Sequence, residues 1–119
     1  MIANNPIDYG LGGRPDIAAK DPTGAELGKH KVMSLRNIAI TPPYGHNGFF
    51  ATLEEVVHFY NTRDVEAWPA PEVEQNVNTT ELGNLGLTPE EEVDVVAFLK
   101  TLTDGFGPPL NHFAFPPIP

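Results

Sequence analysis

His30, His46, His58 and His112 are the side chains of this sequence most readily enlisted for proton transfer or metal ligation. Their spacing does not match a zinc site, and each taken singly reads as a surface or hydrogen-bonded histidine. Other catalytic signatures are missing from the sequence. It has no His-Glu-x-x-His helix, no Gly-x-Ser-x-Gly elbow, no phosphate-binding glycine loop and no EF-hand ligand series. Tyr60 is distinguished by its pattern. Leu53, Val56, Val57 and Tyr60 fall at i, i+3, i+4 and i+7, which sets the phenol on the expected inward stripe of a helix, with His58 pointing away from it. On spacing alone Tyr60 is a core aromatic.

Two helices are expected to position these residues. Thr52-Leu53-Glu54-Glu55 is a capping box, in which the Thr hydroxyl covers the amide of Glu55 while Glu55 reaches back. The helix it opens ends at Asn61 and the polar Thr62-Arg63-Asp64. A second helix opens at Thr88-Pro89-Glu90-Glu91, with Pro at the first helical position and acids at the positive end of the macrodipole. Val95, Val96, Leu99 and Leu102 form its apolar side, and Asp104-Gly105 closes it. Residues 1–31 read as extended and glycine-punctuated, and Gly10, Gly12 and Gly13 argue against a helix there. The apolar run 32–40 stops at Thr41-Pro42-Pro43, before a tight loop at Tyr44-Gly45-His46-Asn47-Gly48. Residues 65–87 form a long acidic loop, of a length that is usually functional or partner-bound. The Pro-rich tail from residue 106 reads as extended and polyproline-like.

Composition agrees with a mainly α fold with long loops. The 119 residues include 11 Gly and 13 Pro, about twice the usual combined share. A loop-rich chain of this size has a thin core and generally needs a staple. With no Cys there is no disulfide, so the staple must be a cofactor or another polypeptide. A net charge of −9 argues against nucleic acid and anionic membrane as partners; on charge alone it reads first as solubility and second as steering of a basic protein. The opening Met1-Ile2-Ala3-Asn4-Asn5-Pro6 does not read as a signal peptide, and no apolar run approaches the roughly 20 residues that span a bilayer.

One string carries more information than any single residue: Ser34-Leu35-Arg36-Asn37, then Thr41-Pro42-Pro43-Tyr44-Gly45-His46-Asn47-Gly48, then Thr52-Leu53-Glu54-Glu55-Val56. With Leu11-Gly12-Gly13 before it and Leu87-Thr88-Pro89-Glu90 and Val96-Ala97-Phe98-Leu99 after it, the string resembles the C-terminal haem domain of bacterial di-haem cytochrome c peroxidases and MauG-like proteins. The resemblance runs over about residues 10–105. It implies a partial cytochrome c-like domain, namely the C-terminal half of a haem domain across residues 1–119 with 106–119 as a tail. It further implies haem c as cofactor, peroxide reduction or electron transfer as activity, and a periplasmic location.

The same resemblance implies roles residue by residue. Tyr60 stands where the family places the distal axial ligand of the haem iron, a position held by Met in ordinary peroxidases and by Tyr in MauG-like members. Thr41 and Pro43 stand where backbone carbonyls bind an interdomain calcium, the alternative being a turn that simply ends a run. Arg36 is placed either to pair with a haem propionate or to brace the surface. His46 is placed near the haem edge, for hydrogen bonding to a propionate or to backbone. The sequence departs from the family in one large respect: it has no Cys-x-x-Cys-His for haem attachment. Three explanations stay open. The chain is a fragment, or one product of a split gene completed by a second chain, or a haem-less relic whose acidic residues 65–81 dock a basic partner. A missing Cys-x-x-Cys-His segment is therefore the first partner expected, and a basic electron donor the second.

Overall fold

The computed structural model describes residues 6–105, so the Pro-rich tail lies outside the described residues. Among the described residues three α-helices occur: α1 Pro15–Ala18, α2 Leu53–Thr62 and α3 Pro89–Thr101, with 3-10 turns at Gly10–Gly13 and Ile38–Ile40. Among the described residues there is no strand, only an isolated antiparallel bridge between Tyr44 and Phe50. The mainly helical, loop-rich expectation is met.

Both long helices start where their capping boxes place them. Thr52 Oγ1 accepts the Glu55 amide at 3.2 Å and Thr88 Oγ1 accepts the Glu91 amide at 3.2 Å. Glu55 and Glu91 take back the cap amides at 3.1 and 2.8 Å. Each box satisfies amides that would otherwise lack an intrahelical partner. α2 and α3 then pack on each other. Leu53 and Val57 of α2 meet Val96 of α3, flanked by the half-buried Ile38, Ala39, Tyr44 and Leu99. Among the described residues only these three apolar side chains are buried, which is thin support for their number.

Two expectations need correction. The glycine-rich segment does hold helical turns, a 3-10 turn at Gly10–Gly13 followed by α1, which begins with Pro15 at its first position. A single tight turn fixes few residues, and Gly12 is required there because a Cβ would strike the backbone of Glu26 and Leu27. Tyr60 is not on a buried stripe. α3 covers the row Leu53, Val57 and Asn61, which follows i, i+4 and i+8 and leaves Tyr60 at its edge, 48% exposed. Other large apolar side chains are also uncovered, among them Val32, Met33, Ile40, Val93 and Phe98. α3 ends at Thr101, three residues short of Asp104-Gly105.

Candidate functional site

α2 presents Tyr60 from a firmly held backbone. The Tyr60 carbonyl accepts the Gly83 amide at 2.7 Å, and Gly83 in turn accepts the Asp64 amide at 2.8 Å. This close approach needs glycine: Gly83 has φ +106°, and a Cβ there would land on the Asp64 carboxylate. The phenol itself makes no hydrogen bond among the described residues. Among the described residues its one aromatic contact is with the neighbouring Phe59, with centroids 6.0 Å apart.

On the opposite side of α2, polar groups fasten the acidic loop. Asn61 is 6% exposed. Its Nδ2 donates to the Leu87 carbonyl at 2.9 Å and to Glu92 Oε1 at 2.6 Å, and its Oδ1 accepts the Leu87 amide at 2.9 Å. His58 sits between two carboxylates, Nδ1 at 3.1 Å from Glu92 and Nε2 at 3.1 Å from Glu66. Hydrogen bonding to Glu92 raises the His58 pKa above its ordinary 6.5; burial opposes it, and the Glu66 hydrogen bond adds to the rise. Burial pushes the Glu92 carboxyl up, but Asn61 and the His58 ring outweigh it and hold it below 4.5. Trp68 closes the cluster, donating its indole N–H to Thr62 Oγ1 at 3.0 Å and packing edge-on against Phe59.

The Leu35-Arg36-Asn37 run is clasped to the end of α3. Asn37 adopts the left-handed conformation at φ +61°, and its amide donates to the Leu102 carbonyl at 2.9 Å. Its side chain donates to Asp104 Oδ2 at 3.0 Å and accepts the Asp104 amide at 2.8 Å. Arg36 is exposed and forms no ion pair among the described residues. Thr41 and Pro43 flank a loop pinned by the Tyr44 hydroxyl, which donates to the Ile38 carbonyl at 2.8 Å. Both residues are exposed, and neither carbonyl accepts a hydrogen bond among the described residues.

His46 lies in a separate polar cluster. Its Nε2 is 3.1 Å from Glu72 Oε2, while Asn47 Nδ2 donates to Glu72 Oε1 at 3.0 Å. His46 and then Asn47 hold the Glu72 carboxyl below its usual value. The His46 ring stacks on His30 with centroids 4.3 Å apart and planes at 23°. No hydrogen bond, ion pair or ring contact joins Tyr60, Arg36 and His46 to one another among the described residues. Asn61, Glu92, Asp8 and Glu72 were not singled out from sequence, and only Asn61 left a signal, as a polar residue at i+8 of an apolar row.

No family model matches the sequence. Individual proteins do match. The chain is 43% identical over 111 residues to the methylamine utilization protein MauG of Paracoccus denitrificans (strain Pd 1222), a match covering 82% of this chain and 28% of that protein. It is 44% identical over 78 residues to cytochrome-c peroxidase IdrP1 of Denitromonas iodatirespirans, covering 66% of this chain and 19% of the relative. The crystal structure of a MauG-like protein associated with microbial copper homeostasis superposes with a TM-score of 0.64 at 37% identity, covering 85% of this chain and 31% of that one. The chain is thus a homologue of MauG and the cytochrome-c peroxidases, and it spans less than a third of the length of these relatives. Among the described residues no helix is long and apolar enough to cross a membrane.

Proposed function

We propose that this chain forms the distal wall of a c-type haem site in a peroxidase- or MauG-like oxidoreductase, with Tyr60 as the axial ligand to iron. The observation that carries this reading is the state of Tyr60. Its backbone is fixed by α2 and by the Gly83 amide, yet its phenol is half exposed and bonded to nothing among the described residues. A tyrosine held for packing would be covered, and one held for structure would have a hydrogen-bond partner. The uncovered Val32, Met33, Ile40 and Phe98 fit the same account, since a haem and the remainder of a domain would bury apolar surface that this chain leaves open.

Bound haem supplies the redox-active iron, and a phenolate ligand favours its more oxidised states where a thioether favours the ferrous one. The chain's own part is to place and release. Tyr60 would hold the iron through its Oη, which its exposure leaves accessible. Arg36 offers a free guanidinium to a haem propionate, whose paired oxygens match its fork. The carbonyls of Thr41 and Pro43 are hard oxygen donors suited to calcium. His46 is already engaged by Glu72 and His30, so its place near a propionate rests on the family resemblance alone. The covalent anchor and the proximal histidine come from a Cys-x-x-Cys-His segment outside these 119 residues. The net charge of −9 suits a basic electron donor, in the periplasm.

Ferric absorption and EPR spectra of the haem-loaded protein test the ligand. Tyr60→Phe is expected to abolish the phenolate-to-iron charge-transfer band and change the iron's spin state. Identical spectra for wild type and Tyr60→Phe would remove Tyr60 from the iron.

A further inference from the structure

Away from Tyr60, three side chains from separate segments converge. Asp8, His30 and His46 each offer one ligand atom, and the three atoms lie within 4.8 Å of one another. We propose that Asp8, His30 and His46 bind one divalent transition-metal ion, with Glu72 orienting His46. Nothing in the haem reading requires this site.

The frame that holds the three residues is local and specific. The Leu11 amide donates to the Lys29 carbonyl at 2.7 Å and the Gly28 amide to the Tyr9 carbonyl at 2.9 Å, which lays the strand-like stretch of Asp8 beside that of His30. Gly10 permits that approach: a Cβ would overlap the Lys29 carbonyl and press on His30 Cε1 at 3.2 Å. Glu72 arrives on the acidic loop, whose Asn76 donates to the carbonyls of Gly24 and Leu27 at 3.0 and 2.9 Å. Backbone bonds thus bring Asp8 and His30 together, and His46, 38 positions from Asp8, is held to them by its contact with Glu72 and by stacking on His30.

The individual atoms are disposed for coordination. His46 Nε2 faces Glu72 Oε2 at 3.1 Å, so an Nε2–H donated to that carboxylate leaves Nδ1 as a lone pair. This is the outer carboxylate that commonly fixes the tautomer of a metal-bound imidazole. Asp8 Oδ1 accepts the Gly10 amide at 2.8 Å, leaving Oδ2 open. Ligand atoms around a tetrahedral ion stand about 3.3 Å apart. The His30 and His46 rings stack without an ion, so coordination turns these exposed side chains out of the stack to aim both nitrogens at one point, away from the core. Two imidazoles with one carboxylate select a borderline ion such as zinc or copper(II) over calcium or magnesium, and leave room for water or an added ligand.

Isothermal titration of zinc chloride into the protein, in a non-coordinating buffer, tests the site. One ion per chain is expected to bind with micromolar affinity or better. His30→Ala and His46→Ala, both at exposed positions, are expected to weaken binding at least tenfold, and Glu72→Gln about tenfold through the lost orienting contact. His58→Gln, outside the set, is expected to bind as wild type does. Tryptophan fluorescence of each variant verifies the fold. Absence of binding, or binding equally strong in the His30→Ala/His46→Ala double variant, would overturn the proposal. So would an equal loss in His58→Gln, which would mark the ions as adventitious surface ligands.

Discussion

Replacing Asn61 by Ala should be the most damaging single change on α2 outside its apolar row. Asn61 is buried and makes three hydrogen bonds, to the amide and carbonyl of Leu87 and to Glu92. A net hydrogen bond contributes about 1 kcal/mol, one to a charged group about 1.5–3 kcal/mol, and stranded buried groups lose their full desolvation cost. Taken together with relaxation and entry of water, the loss is about 3 kcal/mol. Domains of this size have only about 5–15 kcal/mol in total, and this core has three buried apolar side chains. At about 4–8 °C per kcal/mol the melting temperature should fall by more than 10 °C. Urea denaturation followed by far-UV circular dichroism, with Trp68 emission as a second probe at the same seam, measures it. Asn61→Asp supplies the decisive contrast. It keeps size and the acceptor for the Leu87 amide, but removes the donor and sets a carboxylate against Glu92, so it should be at least as unstable as Asn61→Ala. A loss below about 0.5 kcal/mol in Asn61→Ala, or a stable Asn61→Asp, would show that the network does not fasten the loop.

The pH dependence of stability should separate wild type from His58→Gln. The His58 pKa is raised in the folded state by Glu92 and Glu66, so its contribution is complete below about pH 6.5 and is lost as pH rises through the folded value. Wild type minus variant should therefore decline above pH 6.5; a flat difference there refutes the clamp. At the acid end Glu92, held below 4.5, contributes above that pH and is lost as pH falls through its folded value. Gly83→Ala should cost about 1–3 kcal/mol in thermal unfolding, because the backbone at φ +106° and the Asp64 carboxylate both oppose a side chain. Wild-type stability in that variant would show that the turn accommodates Cβ by shifting.

What could be read directly was whatever is local along the chain. The two capping boxes span four residues each and fix where α2 and α3 begin, whatever surrounds them. The length of the acidic loop was equally legible, because proline and asparagine forbid regular structure there. Tyr60 was misplaced because helical spacing gives the face of a helix but not the width of what covers it, and α3 covers only the row through Asn61. The role of Asn61 lay hidden because its partners, Leu87 and Glu92, are 26 and 31 residues away. His58 was placed off the apolar row, as it is, but its two carboxylates are fixed only by the packing of α2, α3 and the loop. The convergence of Asp8 with His30 and His46 escaped notice for the same reason: their spacing in sequence follows no metal motif, and only the folded loops bring them together. The haem reading came from family resemblance, and composition contributed only the need for a staple.

The Asn37 clasp carries a consequence for the order in which the chain comes together. Its side-chain bonds join residues 67 positions apart, to Asp104. Closing a loop of that length from the open chain costs about 4 kcal/mol in entropy, more than such exposed bonds return. The clasp therefore follows the docking of α2 on α3, which shortens the gap it has to bridge, and it is among the first contacts to release. The ribbon it retains is the one bearing Arg36, with Thr41 and Pro43 at its far end. Any species that grips this ribbon in its closed position adds its binding energy to that late-forming joint. Loading the protein should consequently tighten the whole chain, far beyond the atoms that touch the ligand.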